Sequence, residues 1–168
     1  MWVANTPVSR EYPLSNFNCS FMALDNFQAF AEMFYLLMLG SGTGFRTMPY
    51  DVEKMPAYRV GIKTSVKEFT PVPVKERLEH TNLLIVENRA TIVVGDSKQG
   101  WVSALDMYFQ LRTHFLYKEI TEIEFNFDSV RPKGELLKKF GGRASGHESI
   151  QIMFMKIDAV MERAGGKL

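Results

Sequence analysis

The most reactive side chain in this sequence is a single cysteine. The chain has 168 residues and Cys19 is its only cysteine, so an internal disulfide is impossible. A lone thiol is typical of a protein kept in a reducing cytoplasm, or of a reactive group that awaits a partner. Residues 18–24 predict a short, mostly buried strand around it. No histidine or lysine stands nearby to activate the thiol, so two interpretations stay open: a redox group, or a small buried hydrophobe.

Two glycine-rich stretches could approach a ligand closely. The first, residues 40–44, follows a predicted helix and lacks the lysine of a phosphate-binding loop, so it is either a ligand contact or a flexible helix exit. The second, residues 141–146, leads into a predicted helix whose free N–H groups and dipole favour anions. Arg131, Lys133 and Arg143 lie near it in the sequence, which favours a phosphate-bearing ligand. An ordinary capped loop is the alternative.

Other classes of site and partner find little support. The three histidines show no metal-ligand spacing, with each other or with Cys19, and no acidic pair suggests acid–base catalysis. The 20 basic residues nearly balance the 19 acidic ones, so neither nucleic acid nor an anionic membrane is expected as a partner. No apolar run is long enough to span a membrane, and no signal peptide is recognisable. We therefore expect no metal site and a cytoplasmic location.

Hydrophobic periodicity predicts the elements that would position these residues. A helix follows the Cys19 strand, begins at an Asp25-x-x-Gln28 cap and ends at the first glycine run. A strand–helix–strand unit comes next, with a strand at 91–95, an Asp96-x-x-Gln99 cap and an alternating strand at 120–127 that we expect at an exposed edge. A last amphipathic helix begins at a Ser145-x-x-Glu148 capping box.

Several motifs, taken in chain order, go further than any one of them alone. They lie at residues 1–6, 18–21, 40–45, 95–102, 129–134, 140–146 and 164–168. Together they resemble motifs of ribonucleotide reductases, and specifically of the monomeric, adenosylcobalamin-dependent (class II) ribonucleoside-triphosphate reductases. The resemblance covers nearly the whole chain. The order of the glycine loops, with the Gly-Trp motif between them, makes it specific.

The resemblance implies an α/β fold, namely the first part of a reductase-type α/β barrel with an inserted strand–helix–strand subdomain. Residues 1–46 would begin the catalytic barrel and carry the redox cysteine and the first glycine run. Residues 47–127 would form the insertion, which in the monomeric enzymes occupies the place of a second subunit. Residues 128–168 would carry the effector loop and its helix and return to the barrel.

The resemblance also implies roles for individual residues. Cys19 matches the first of two cysteines that reduce the ribose 2′-carbon and end as a disulfide. Asn18, Gly42 and Gly44 match contacts to the substrate nucleotide. An allosteric deoxynucleoside triphosphate would be held with its sugar at Asp25 and its phosphates at Arg131. The expected effector contacts are Asp25, Arg131, Gly141, Gly142, Arg143 and Ser145.

The function implied is part of an enzyme that converts ribonucleoside triphosphates to 2′-deoxyribonucleotides by a cobalamin-initiated thiyl-radical mechanism. The radical cysteine and the second redox cysteine are expected downstream, so this chain would be a fragment that is inactive alone. Most contacts to adenosylcobalamin are also expected elsewhere. The implied partners are a ribonucleoside triphosphate, a deoxynucleoside triphosphate effector, a thioredoxin-type reductant and the remaining C-terminal reductase segment. The alternative is a non-enzymatic, deoxynucleotide-binding regulatory module in which Cys19 is merely buried.

Overall fold

The computed structural model describes residues 6–137 and 142–165. The chain divides into two compact units, an N-terminal unit that ends at Pro56 and a C-terminal unit that begins at Ala57. Both mix helices and strands, which confirms the α/β class expected from the sequence. The assignment of the three predicted segments to barrel and insertion stays a prediction. Among the described residues, no helix combines the length and apolar character needed to cross a membrane.

The N-terminal unit is built around a β–α–β arrangement. Its described elements, in chain order, are α1 (Pro7–Glu11), a 3-10 turn (Pro13–Asn16), β1 (Cys19–Ala23), α2 (Phe27–Met38), β2 (Gly42–Arg46) and α3 (Pro49–Val52). β1 and β2 pair in parallel, and α2 connects them. The first glycine run therefore combines the exit of α2, where Gly40 has a φ of +88°, with the start of a strand at Gly42, which the sequence did not predict. Glycine carries no strand-type side-chain pattern, so only the pairing with β1 reveals this strand.

The start of α2 differs by one residue from the predicted cap. Asn26 has an extended backbone, and its side-chain oxygen accepts a hydrogen bond of 2.9 Å from the N–H of Ala29. Asp25 instead accepts a hydrogen bond from the Asn26 amide, and Gln28 donates to Glu32 one turn further on. Asparagine caps helices as well as aspartate does, so the two neighbouring candidates could not be separated from sequence.

The C-terminal unit contains a four-stranded sheet and two long helices. The elements are β3 (Lys63–Val66), β4 (Asn82–Val86), β5 (Arg89–Val93), α4 (Lys98–Thr113), β6 (Glu122–Asn126) and α5 (Glu148–Ala164). The strand order is β3-β6-β5-β4; β6 is parallel to both of its neighbours, and β4 is antiparallel to β5. The predicted strand–helix–strand unit is present as β5, α4 and β6, whereas β3 and β4 were not predicted.

β6 lies inside the sheet, so its predicted position at an exposed edge was wrong. Its alternation arises because the two faces of the sheet differ. On one face Phe125 packs against Phe154 of α5, with ring centroids 4.3 Å apart, and against Tyr108 of α4. On the other face Glu122 and Glu124 form ion pairs with cations of the neighbouring strands. Charged residues therefore occur on a central strand because adjacent strands neutralise them.

Both remaining helix caps also differ from the sequence prediction. The cap of α4 is Ser97, whose hydroxyl oxygen accepts a hydrogen bond of 2.8 Å from the N–H of Gly100. Asp96 instead binds an arginine, as described below. The cap of α5 is His147, without a side-chain hydrogen bond, and the Ser145 hydroxyl contacts the carbonyl of Gly146. A capping motif in sequence specifies the region of a helix start better than its first residue.

Candidate functional site

The N-terminal unit carries an exposed thiol, that of Cys19. Cys19 is exposed at the start of β1, so the prediction of a mostly buried position was wrong. Its register partner on β2 is Gly42, and the next pair on the same face of the ribbon is Phe21 with Gly44. We call these four residues the Cys19 shelf. Two of its four positions carry no side chain, so backbone is open beside the thiol.

The shelf has a defined shape because of how its two glycines are packed. The N–H of Gly42 donates a hydrogen bond of 2.8 Å to the carbonyl of Asn18. The ring of Phe21 lies close over Gly44, where an added Cβ would be 3.3 Å from Cδ2 of the ring. Phe21 is itself 70% exposed. The thiol and an aromatic ring thus lie on the same open face as two glycines, which would suit a flat or ring-shaped ligand.

Polar contacts on the opposite face of the ribbon hold the register of the shelf. The Ser20 hydroxyl lies 2.9 Å from that of Thr43 and 3.2 Å from that of buried Ser41. At the end of β2, Arg46 donates two hydrogen bonds, of 3.1 and 3.2 Å, to the carboxylate of Asp51. These hydrogen bonds from Arg46 lower the pKa of the Asp51 carboxyl. The strand that carries the glycines is therefore fixed at both ends.

Exposure of the only cysteine gives a direct prediction for the native chain. We expect one thiol per chain to react with a chromogenic disulfide reagent at a rate similar to that of a small free thiol, without denaturant. The measurement is the stopped-flow rate of colour release in native buffer, with the unfolded chain in denaturant as the control. A thiol that reacts only after unfolding would contradict the exposed position.

The predicted effector residues do not form one open cationic site. Nε of Arg131 lies 3.0 Å from both carboxylate oxygens of Asp96, and its backbone N–H also donates to Asp96. Arg77 lies 3.9 Å from the same carboxylate and binds Glu135 through two hydrogen bonds of 2.7 Å. This cluster pairs two cations with two anions. Arg131 is therefore already neutralised by a protein carboxylate, which the sequence reasoning missed.

The other predicted effector residues are distributed as follows. Arg143 is exposed, and its Nη1 donates a hydrogen bond of 2.9 Å to the carbonyl of Gly134. Gly142 has a φ of +88°, which favours glycine, and Ser145 is exposed just before α5. Asp25 belongs to the N-terminal unit, where it lies 3.7 Å from Lys54. Gly141 lies outside the described residues.

A buried polar network in the C-terminal unit was also missed. The Arg112 side chain, on α4, has no exposed surface. It donates to the Thr64 hydroxyl (2.7 Å), to the carbonyl of Arg59 (3.1 Å) and to the carboxylates of Asp158 and Glu162 on α5. Each of these partners is about 50 residues away in sequence, so the only local signal was an arginine within an otherwise apolar helical stripe.

Two tyrosines extend this network. The Tyr108 hydroxyl donates a hydrogen bond of 2.6 Å to Asp158 and lies 2.9 Å from the hydroxyl of Tyr58. Burial raises the pKa of Tyr58 to about 12, and burial likewise raises the pKa of Tyr108. Both phenols therefore stay protonated at neutral pH. We interpret the network as a structural contact that holds β3, α4 and α5 together, and not as a catalytic centre.

Comparison with known proteins decides the family. The sequence model described as "B12-dependent ribonucleotide reductase, insertion domain" matches residues 64–161. The chain belongs to this family. The matched insertion domain begins within β3 and ends within α5, so it lies in the C-terminal unit. It includes Arg112 and Asp158 of the network, whereas Tyr58, Arg59 and Glu162 lie just outside the matched range. Cys19 and its shelf precede it.

Full-length reductases align with the rest of the chain as well. An adenosylcobalamin-dependent ribonucleoside-triphosphate reductase of Euglena gracilis is 22% identical over 99% of this chain and 20% of its own length. Its counterpart from Levilactobacillus brevis is 24% identical over 82% of this chain and 20% of its own length. A probable enzyme of this name from Dictyostelium discoideum is 34% identical over 45% of this chain and 9% of its own length. The chain thus spans at most about a fifth of these relatives.

The fold also matches a solved structure. The crystal structure of a B12-dependent (class II) ribonucleotide reductase superimposes with a TM-score of 0.78 and 21% sequence identity. The match covers 98% of this chain and 27% of that one. At this level of identity the likeness establishes the fold, and it extends over both units.

Proposed function

We propose that this chain is part of an adenosylcobalamin-dependent ribonucleoside-triphosphate reductase, in which Cys19 is one of the two thiols that reduce the substrate. The observation that carries the proposal is the exposed thiol of Cys19 paired in register with Gly42. Family membership supports it, since the relatives that align over most of the chain carry that enzyme name. The whole enzyme would act in the cytoplasm.

The chemistry requires two thiols and one ribose. The 2′ C–O bond breaks and a C–H bond forms at the same carbon, while two thiols become one disulfide and the oxygen leaves as water. Two electrons and two hydrogens are thereby transferred from sulfur to the sugar and its leaving group. Cys19 supplies one thiol, and the second must come from another part of the enzyme because this sequence has no other cysteine. A thioredoxin-type dithiol would then reduce the disulfide.

The shelf provides a surface for the sugar that such chemistry needs. Gly42 leaves the backbone of β2 open beside the sulfur, and the exposed ring of Phe21 lies over Gly44. A ribose could therefore lie against Gly42 with the aromatic ring next to it. Asn18, which immediately precedes the cysteine, is exposed and could hold the sugar or a phosphate by its amide. A side chain at Gly42 would occupy the space that we assign to the nucleotide, and one at Gly44 would displace the Phe21 ring beside it.

Adenosylcobalamin would supply the radical that starts the reaction in the whole enzyme. Among residues 6–137 and 142–165, no group of three or more His, Cys, Asp or Glu side chains is placed to hold a metal ion. The cobalt of this cofactor is held by the cofactor's own corrin ring, so its binding would not need such a group. We expect most of the contacts to the cofactor to come from the remaining C-terminal reductase segment.

The proposed effector site contains fewer phosphate-binding residues than the sequence suggested. Arg143 and Ser145 are exposed beside the positive-φ Gly142, and they are suited to meet phosphates of a deoxynucleoside triphosphate. Arg131 would position this loop through Asp96 rather than bind phosphate by its Nε edge. Asp25 and Gly141 stay in the proposal only through the resemblance.

The decisive test is substitution of the thiol. We expect Cys19→Ser to lower deoxyribonucleotide formation on the order of 1,000-fold or more, because a serine hydroxyl cannot form the disulfide. The assay uses the chain completed by the remaining reductase segments, with adenosylcobalamin, a dithiol reductant and a ribonucleoside triphosphate. Met22→Leu is the matched control, since Met22 lies on the same strand but on the opposite face and the change conserves volume.

Two outcomes would contradict the proposal. One is unchanged turnover in the Cys19→Ser enzyme, and the other is no turnover in a completed enzyme that retains Cys19. A third result would favour the alternative function: Cys19→Ser leaves turnover unchanged, while Arg143→Ala abolishes binding of a deoxynucleoside triphosphate to this chain. The chain would then be better described as a regulatory module without a redox role.

A further inference from the structure

Arg77 binds the segment of the C-terminal unit that carries Arg143. It donates two hydrogen bonds of 2.7 Å to the carboxylate of Glu135, and its Nη1 lies 3.9 Å from Asp96. The Arg77 side chain is only 10% exposed, and that of Glu135 is 31% exposed. A two-point contact between a guanidinium and a carboxylate fixes the direction as well as the distance of the two groups. Arg77 therefore restrains Glu135 more closely than a single surface ion pair would.

The backbone beside Arg77 is itself anchored to the start of α4. The N–H of Asp96 donates a hydrogen bond of 2.7 Å to the carbonyl of Leu78. The hydroxyl of Ser97, the cap of α4, donates one of 2.6 Å to the carbonyl of Glu79. Residues 77–79 thus have a fixed place relative to α4, and the contact with Arg77 gives its partner Glu135 a fixed place as well.

Glu135 belongs to two short antiparallel segments, residues 134–137 and 142–144, which we call the Arg143 arm. Three backbone hydrogen bonds, of 2.8, 2.9 and 3.1 Å, join the segments, and Leu136 pairs with Arg143. Because side chains alternate along paired segments, Leu136 and Arg143 share one face of the arm and Glu135 lies on the other. The burial agrees, since Leu136 and Arg143 are both exposed. The arm is held by one face and presents Arg143 on the opposite face.

We propose that Arg77 is a positioning residue of the effector site. It holds the Arg143 arm through Glu135, so that the guanidinium of Arg143 meets the phosphates of a deoxynucleoside triphosphate. This inference rests on the effector site proposed above. Arg77 would not touch the nucleotide, because its guanidinium binds Glu135 and lies near Asp96. Without Arg77 the arm would adopt other orientations, and the apparent affinity would fall with the fraction of molecules whose arm is correctly placed.

The first measurement is the affinity of the effector. Equilibrium dialysis uses the chain completed by the remaining reductase segments, with dATP, dGTP, dCTP and dTTP as probes. We expect Arg77→Met to raise the dissociation constant of the tightest-binding probe at least about tenfold, which corresponds to about one molecule in ten with its arm in place. Arg77→Lys keeps the charge but loses the two-point contact, so its dissociation constant should lie between the two. Glu135→Gln should weaken binding similarly, and the double variant should weaken it no further than Arg77→Met alone.

Arg89→Met is the matched control for this affinity. Arg89 also pairs with carboxylates, those of Glu122 and Glu124 on the neighbouring strand, and none of its described ion pairs involves the Arg143 arm. Its removal also costs the unit an arginine and its ion pairs, but it should leave the dissociation constant unchanged.

The second measurement reports the motion of the arm without any nucleotide. In a Cys19→Ser background, Leu136→Cys accepts a nitroxide spin label at an exposed position of the arm. We expect broad electron spin resonance lines when Arg77 is present, sharper lines after Arg77→Met, and no change after Arg89→Met. Loss of an ion pair with only a general effect on stability would not sharpen the lines of a folded chain. Circular dichroism verifies folding, and Glu135→Gln replaces Arg77→Met if the latter is unfolded.

The outcomes separate this inference from the effector site on which it rests. If Arg143→Ala abolishes nucleotide binding but Arg77→Met leaves the dissociation constant unchanged, the effector site stands and the role of Arg77 is overturned. Resonance lines that Arg77→Met does not sharpen would overturn that role too. If the completed enzyme binds none of the four probes, or if Arg143→Ala leaves their binding intact, the effector site itself is overturned, and the role of Arg77 with it.

Discussion

Replacing Arg112 with methionine is expected to lower the free energy of unfolding of the C-terminal unit by about 3–5 kcal/mol. The guanidinium is fully buried and binds carboxylates of Asp158 and Glu162, whose side chains are only 15% and 31% exposed. Methionine fills much of the volume but leaves both carboxylates without their cation. Burial of an unpaired charge costs far more than the ion pair contributes, so the loss should be large.

The measurement is urea unfolding followed by circular dichroism. Arg163→Met is the matched control, because Arg163 is exposed near the end of α5, the helix that carries Asp158 and Glu162, and bonds only to the carbonyl of Ala159 among the described contacts. It should change stability by less than about 0.5 kcal/mol. Adding Asp158→Asn and Glu162→Gln to Arg112→Met should restore part of the loss by removing the stranded charges. Equal effects of the two methionine substitutions would mean that the network contributes little.

The second large effect is expected for Gly95→Ala, at the start of the Gly-Trp motif. An added Cβ would lie 2.5 Å from the carbonyl oxygen of Glu79 and 2.5 Å from the carbonyl carbon of His80. Both neighbours are backbone atoms, held in place because the Ser97 hydroxyl donates to Glu79 and the Gly95 N–H donates to Thr81. Relief of this overlap requires movement of the chain, and we expect a loss of about 2–3 kcal/mol.

Thermal unfolding measures this effect, with Gly42→Ala as the comparison. A Cβ at Gly42 would meet its nearest neighbour, the carbonyl oxygen of Asn18, at an ordinary 3.6 Å. This substitution should therefore cost little stability, although it would crowd the proposed nucleotide surface. A melting temperature of the Gly95→Ala chain close to that of the unmodified chain would show that residues 79–80 yield easily. A Cβ added at Gly100 would lie 2.8 Å from the same Glu79 carbonyl oxygen, so both glycines give the motif a packing role rather than a ligand-binding one.

The outcomes for individual residues show where sequence reasoning reached its limit. Helices α4 and α5 were predicted because their apolar residues recur every three or four positions over long stretches. β3, whose sequence is Lys-Thr-Ser-Val, was missed because its strand conformation depends on pairing with β6. Arg131 was interpreted as an open cation because the carboxylate that neutralises it, Asp96, is 35 residues away.

The sequence by itself determined the family and the types of element, because ordered motifs and hydrophobic periods are local properties of the chain. The tertiary structure alone decided which of these residues meet. The pairing of β1 with β2 sets the thiol of Cys19 beside Gly42, which lies 23 residues further along the chain. Because α5 packs against α4, Arg112 is buried and binds the carboxylates of Asp158 and Glu162, although arginine is usually a surface residue. Such contacts depend on strand register and helix packing, which arise from the whole fold. They therefore produce no local pattern from which the sequence alone could predict them.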